Sequence, residues 1–105
     1  MGLKSSYAAN GPSLTAQHTS TAAETSYTAV TATAPKSAKW RMAIITGTVS
    51  GDVYLQGAGQ TQYHAPVTPN VANEIDLSRI PEATSIIVNF ELDAAGTSRV
   101  TIYYQ

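Results

Sequence analysis

Apolar and polar residues alternate along most of the chain after Lys39, and this period of two is the feature that most restricts its fold. The clearest example is "TSIIVNFELD", residues 84–93. Successive side chains of a strand point to opposite faces of the sheet. We therefore predict a half-buried strand whose inward face carries Ile86, Val88, Phe90 and Leu92 and whose outward face carries Asn89 and Glu91.

The same alternation recurs in shorter stretches that are separated by turn-forming residues. "VYLQG" follows the turn "SGD", "NEIDLSRIP" is a further short strand, and "TSRVTIYYQ" follows "DAAG", in which Gly96 suits a turn. We predict that the last two strands pair as a hairpin and that residues 58–70 form a long loop. Several short strands with turns between them predict an all-β fold, a small antiparallel β-sandwich or jelly-roll-like domain.

Residues 1–38 are different, because they are mostly Thr, Ser and Ala with few large apolar side chains. Ordering about 25 such residues costs on the order of 25–50 kcal/mol of backbone entropy. A few buried side chains at about 1.5–3 kcal/mol each do not offset that cost. We therefore predict an extended N-terminal arm over residues 1–38, ordered by strand addition to another chain, and a self-folding β-sandwich domain over residues 39–105. The expected anchors of the arm on its partner are Leu3, Tyr7, Leu14 and Tyr27.

Charge and cysteine content exclude several classes of partner and chemistry. The formal charge is −1, only 12% of residues are charged, and the six basic residues are scattered. Nucleic acids and anionic membranes are bound by clustered Lys and Arg, so we expect neither as a partner. The absence of cysteine excludes disulfides and thiolate sites and is compatible with synthesis in a reducing cytoplasm.

No arrangement of residues indicates catalysis. His18 and His64 are the only histidines, and neither lies in a metal-ligand spacing. Two carboxylate pairs, Glu74/Asp76 and Glu91/Asp93, have the i, i+2 spacing of outward strand positions, which is typical of charges that keep a sheet soluble. We expect no enzymatic activity, no cofactor and no bound metal.

The aromatic residues leave two interpretations open. Trp40, Tyr54, Tyr63 and Tyr103 are candidates for exposed positions, where aromatic rings stack on sugars in carbohydrate-binding modules. Alternatively, Trp40 caps the core and the tyrosines lie at strand edges or subunit contacts, where they are enriched.

Two stretches resemble a known group of proteins. "GTVSGDVYLQGAG" (47–59) and "ATSIIVNFELDAAGTSRVTIYYQ" (83–105) resemble small β-sandwich virion proteins of tailed bacteriophages, although "AGQTQYH" replaces the polar and Trp-containing run often seen after "LQG". The resemblance implies a capsid decoration or cement protein that binds the major capsid protein on the outside of the head. It also implies a homo-oligomer, with a trimer favoured, and location on the capsid surface of the virion. It carries no active-site residues.

Two other functions stay open at this point. One is a carbohydrate-binding β-sandwich module that uses the exposed aromatic residues. The other is a small structural component of the tail or neck, which would share the same chemistry and differ only in its place in the particle.

Overall fold

The structure, a computed structural model, describes residues 11–105 and consists almost entirely of strands. Its only helical element in that range is a 3-10 turn at Ala58–Gln60. Within the described residues there is accordingly no helix long and apolar enough to cross a membrane. The eight strands are β1 (Ser13–Ser20), β2 (Thr28–Ala38), β3 (Trp40–Gly47), β4 (Gly51–Gln56), β5 (Gln62–Val67), β6 (Asn73–Asp76), β7 (Ala83–Leu92) and β8 (Gly96–Tyr104).

The strands form two four-stranded antiparallel sheets that pack face to face. One has the order β1-β8-β3-β6 and is called the β8 sheet below; the other has the order β2-β7-β4-β5 and is called the β7 sheet. Strands β1 and β2 form the edges on one side of the sandwich, and β5 and β6 form the edges on the other. The prediction of an all-β antiparallel sandwich is confirmed.

The core lies between the sheets and is built mainly from their central strands. The alternation in 84–93 is confirmed for the inward residues of β7, which are all buried: Ile86, Val88, Phe90 and Leu92. Val100 and Ile102 of β8 oppose them, and Val53 and Leu55 of β4 are buried as well. Asn89 lies on the outward face of β7, as predicted, but it is only 6% exposed. Its side-chain amide donates a hydrogen bond to the Tyr54 carbonyl.

Residues 13–38 belong to this sandwich and not to a separate arm. Strand β1 pairs with β8 along its whole length, from Ser13 opposite Tyr103 to Ser20 opposite Gly96. Strand β2 pairs with β7 from Thr28 opposite Phe90 to Thr33 opposite Ser85. The predicted boundary at residue 38 is therefore wrong for the described residues, and residues 1–10 of the predicted arm lie outside them.

The predicted arm is wrong because the prediction counts only the stabilisation from the segment's own large side chains. Ala16, Ala32, Ala34 and Ala38 are all buried in the core, and their small size lets the two sheets approach closely. The segment also covers apolar surface of β7 and β8 and forms two antiparallel ladders with them. Backbone entropy is thus offset by burial on the partner strands, which a count of Leu and Tyr in the segment misses.

Two further predictions about connectivity are wrong. Strands β7 and β8 do not form a hairpin, because the turn between them carries the chain from one sheet to the other. The predicted loop over 58–70 contains β5, which pairs with β4 from Gly51 opposite Val67 to Gln56 opposite Gln62. Pro66 did not prevent this strand, since β5 is at the edge of its sheet and tolerates a missing N–H donor.

One half-buried carboxylate connects the loop between β1 and β2 to the β7 sheet. Glu24 Oε1 accepts a hydrogen bond from the Leu92 N–H at 2.8 Å, and the Glu24 N–H donates to the Leu92 carbonyl at 2.8 Å. Glu24 Oε2 lies 2.7 Å from His18 Nε2 of β1, and the His18 ring packs against Phe90. Burial opposes ionisation of Glu24, but the hydrogen bonds from Leu92 and His18 and the His18 charge outweigh it, so its pKa is lowered.

We predict that Glu24→Gln destabilises the protein in a pH-dependent manner. Gln keeps an acceptor for the Leu92 N–H but removes the charge, so we expect a loss on the order of 1 kcal/mol near neutral pH. Because the pKa of Glu24 is lowered in the folded state, its contribution is complete above the unfolded value of about 4.3 and disappears as pH falls through the folded value. Denaturant titrations of both proteins from pH 3 to 7 measure this. A difference in unfolding free energy that grows as pH falls would contradict the role of this carboxylate.

We also predict that a 39–105 fragment does not fold. Removing residues 1–38 deletes the strands that pair with β7 and β8 and uncovers one side of the core. A fragment of residues 11–105 is the matched control and should retain cooperative thermal unfolding, because it keeps every strand pair described above. Circular dichroism and a one-dimensional proton NMR spectrum distinguish the two. A dispersed spectrum for 39–105 would show that the N-terminal strands are dispensable.

Candidate functional site

The four predicted partner anchors have different surroundings. Leu3 and Tyr7 lie outside the described residues. Leu14, on β1, is half-buried and packs against the protein's own core, opposite Ile102. Tyr27 directly precedes β2, is 38% exposed and contacts residues of β4. Of the anchors in the described range, only Tyr27 is therefore available to another molecule.

The four predicted surface aromatics do not form one face. Trp40 is only 3% exposed and packs between the sheets against Tyr104, with ring centroids 6.1 Å apart, which agrees with the interpretation that it caps the core and excludes the exposed one. Tyr63 is half-buried against the core, in register with buried Leu55. Tyr103 lies on the β8 sheet in register with Met42 and Ser13. Tyr54 alone has the outward position on the β7 sheet.

Three rings are contiguous on the outer face of the β7 sheet, and we call Tyr27, Tyr54 and His64 the aromatic strip. Tyr54 of β4 is in register with His64 of β5, and the two rings stack with centroids 5.0 Å apart and planes 22° apart. Tyr27 meets Tyr54 edge to face, with centroids 4.9 Å apart and planes at 81°. These distances lie within the usual range for favourable aromatic pairs.

Asp52 joins the two ends of the strip. Its Oδ2 accepts a hydrogen bond from the Tyr27 hydroxyl and lies 3.4 Å from His64 Nδ1. The hydrogen bond to the Asp52 carboxylate is the main reason that the pKa of Tyr27 is raised to about 12, and partial burial and the nearby negative charges add to it. The Tyr27 phenol is therefore held protonated, and its ring is oriented by Asp52.

The strip is surrounded by acidic and neutral polar side chains. Across β4 and β7, Asp52 is in register with Glu91 and Tyr54 with Asn89. Gln56 and Gln62 are opposite each other one step further along. No Lys or Arg occurs among the residues that the described β4 ladders place beside the strip. Within residues 11–105, no group of three or more carboxylate and imidazole side chains is arranged to hold a metal ion.

A concave region lies at the end of the sandwich where β3 begins and β8 ends. We call it the Trp40 end, and it is defined by Pro12, Trp40 and Gln105. A groove of about 830 Å³ opens there, with apolar walls that include Trp40, Ile75 and Ile80. Its rim carries charges of both signs, namely Lys39, Arg41, Arg79, Glu74, Asp76 and Glu82. The groove is thus amphipathic, unlike the acidic surroundings of the aromatic strip.

The indole N–H of Trp40 has no hydrogen-bond acceptor among the described residues, although it is buried. Leaving such a donor unpaired costs about 1–3 kcal/mol. Burial of the large indole ring against Tyr104 and the core offsets this cost.

Comparison with protein-family models and with curated proteins finds no match for this chain.

Sequence reasoning identified Tyr54 and Tyr27 but missed Asp52 and His64 as members of the same site. The signal for Asp52 was available, because it is two residues before Tyr54 on the same strand and so shares its face. The position of His64 beside Tyr54 does not follow from the sequence pattern, because that pattern predicts a loop over residues 58–70. The grouping of Tyr27 with β4 depends on the pairing of β2 with β7.

We predict that Asp52→Asn lowers the pKa of Tyr27 from about 12 towards the ordinary tyrosine value of about 10, because the negative charge that disfavours the phenolate is removed. Tyrosine ring signals followed by NMR between pH 8 and 12.5 measure the change. Asp93→Asn is the control, since Asp93 accepts from Ser50 and does not contact Tyr27. An unchanged Tyr27 titration in Asp52→Asn would show that the hydrogen bond is not formed.

Proposed function

We propose that the chain is a non-enzymatic virion structural protein, a decoration or cement protein that binds the major capsid protein on the outside of a phage head. The proposal rests on the resemblance of residues 47–59 and 83–105 to small virion proteins of tailed phages, together with the geometry of the Trp40 end. In this proposal the β-sandwich is the body of the protein and residues 1–10 are the tether to the shell.

The observation that best supports the proposal is the position of Pro12 at the Trp40 end of the sandwich. The Tyr104 N–H donates to the Pro12 carbonyl, and Lys39 and Gln105 exchange two backbone hydrogen bonds beside it. Residues 1–10, with Leu3 and Tyr7, are therefore joined to the sandwich at the end that carries the groove. A tether and a concave surface at the same end favour attachment through that end.

The groove suits a protein partner. Its apolar walls can accept an apolar side chain, while its lining also includes the basic residues Lys39, Arg41 and Arg79 and three carboxylates. Protein interfaces commonly combine an apolar centre with a polar rim whose charges orient the partner. We propose that the Trp40 end faces the capsid and that the aromatic strip, at a distance from it, faces outward.

Assembly on a capsid also favours several copies around a symmetry axis. Closed point-group symmetry is the rule for homo-oligomers, and a trimer fits a threefold position on a shell. Light scattering of the purified protein and of the protein bound to heads tests the trimer.

The proposal predicts that the double variant Leu3→Ala/Tyr7→Ala binds heads at least about tenfold more weakly than the wild type, because truncating two apolar anchors removes more than about 1.4 kcal/mol. Co-sedimentation with heads of the encoding phage that lack the protein measures the affinity. Ser5→Ala/Ser6→Ala is the matched control in the same segment and should bind as the wild type does.

A second pair of variants tests the groove independently. Arg79→Glu reverses a rim charge, whereas Arg99→Glu makes the same change on the β8 sheet, where Arg99 contacts Gln17. We expect weaker binding only for Arg79→Glu. Unaltered binding by both the double variant and Arg79→Glu would overturn the proposed mode of attachment. Recovery of the protein with tails instead of heads after particle dissociation would favour a tail or neck component.

A further inference from the structure

We propose that the outer face of the β7 sheet is a binding site for a neutral saccharide, with the aromatic strip as its platform. This site differs from the face that was expected from the sequence, because Trp40 is buried, Tyr63 is half-buried against the core and Tyr103 belongs to the other sheet. It does not depend on the proposed role in the virion, since it lies on a different surface.

The strip offers ring surface that a sugar can cover. The Tyr27 residue is 38% exposed and the His64 side chain is 56% exposed, and both rings contact Tyr54 between them. The C–H faces of a pyranose ring are apolar, so they pack against aromatic rings and release water from both surfaces. Tyr27 and His64 also meet at Asp52 Oδ2, so the three rings form one compact cluster.

Hydrogen-bond acceptors stand directly beside the rings. Both contacts of Asp52 end on Oδ2, and its side chain is 38% exposed, so Oδ1 is left to accept from a hydroxyl group of a ligand. The Glu91 carboxylate is in register with Asp52 across the sheet. Carboxylates accept strongly from hydroxyl donors, which a saccharide supplies in number.

The charges of this surface select against anionic ligands. Asp52 and Glu91 repel phosphate, sulfate and uronate groups, and no Lys or Arg is in register with the strip on the described ladders. A nucleic acid or an acidic polysaccharide needs the opposite charge. A neutral saccharide satisfies the carboxylates through its hydroxyl groups and the rings through its C–H faces.

The platform is already ordered without a ligand. Tyr54 and His64 are on paired strands, and Tyr27 is held by Asp52. Little side-chain freedom is therefore lost on binding, which favours measurable affinity from a small contact area.

The experiment is an NMR titration of the full-length, 15N-labelled protein with three neutral hexasaccharides: β-1,4-linked glucose, α-1,4-linked glucose and β-1,4-linked N-acetylglucosamine. We expect at least one of them to shift the amide signals of residues around Tyr27, Asp52, Tyr54 and His64 in a saturable manner, leaving the Trp40 end unaffected. Trp40 fluorescence is not a suitable probe, because its ring is buried at the other end of the sandwich.

Two variants of the strip distinguish a loss of sugar binding from a loss of the folded structure. Tyr54→Ala should weaken binding by about tenfold, and His64→Ala, at the exposed edge strand β5, should weaken it without disturbing the remaining spectrum. Tyr103→Ala is the matched control on the other sheet and should bind as the wild type does.

Absence of saturable shifts with all three hexasaccharides up to about 10 mM would overturn the proposal. So would shifts at the strip that depend on protein concentration without sugar, since they would identify the strip as a contact between copies of the chain. Either result leaves the capsid proposal intact, because that proposal is tested by Leu3→Ala/Tyr7→Ala on a different part of the molecule.

Discussion

Pairing of the two N-terminal strands with the two C-terminal strands is the interaction on which the rest of the structure depends. Strand β8 is central in its sheet only because β1 covers its free side, and β7 is central only because β2 does so. These ladders join residues far apart in the chain, so their formation must overcome a large loss of chain entropy. The core between Phe90 and Ile102 is closed once both ladders are formed, and Glu24 then fastens the β1–β2 loop to Leu92.

The aromatic strip is a consequence of the same pairing. Tyr27 is brought to Asp52 by the register of β2 on β7, whereas Tyr54 and His64 are brought together locally by β4 and β5. One half of the strip thus depends on a long-range ladder and the other half on a local one. The carboxylate of Asp52 connects the halves by accepting from Tyr27 and lying beside His64. A single aspartate therefore organises both the geometry and the charge of this surface.

The two ends of the sandwich carry different side chains. The carboxylates of Glu24, Asp52, Glu91 and Asp93 lie near the loops that follow β1 and β7, whereas the groove lies beside Trp40 and Gln105. The chain enters β1 at Pro12, beside the C-terminal strand. The groove and the aromatic strip therefore lie on different parts of the molecule, and the two proposals can be tested separately.

From the sequence alone, the alternation predicts the strands after Lys39 other than β5, and the faces of their side chains, because a period of two is a local property of the chain. The alternation correctly predicts which residues of β7 face the core and that Tyr54 faces outward. The tertiary structure decided which strands pair, that β7 and β8 belong to different sheets, and that residues 13–38 complete both of them. It also decided that Trp40 is interior and that Tyr27, Asp52 and His64 meet. These outcomes depend on contacts between distant residues, and the small side chains of β1 and β2 gain their stabilising surface only from the strands they cover.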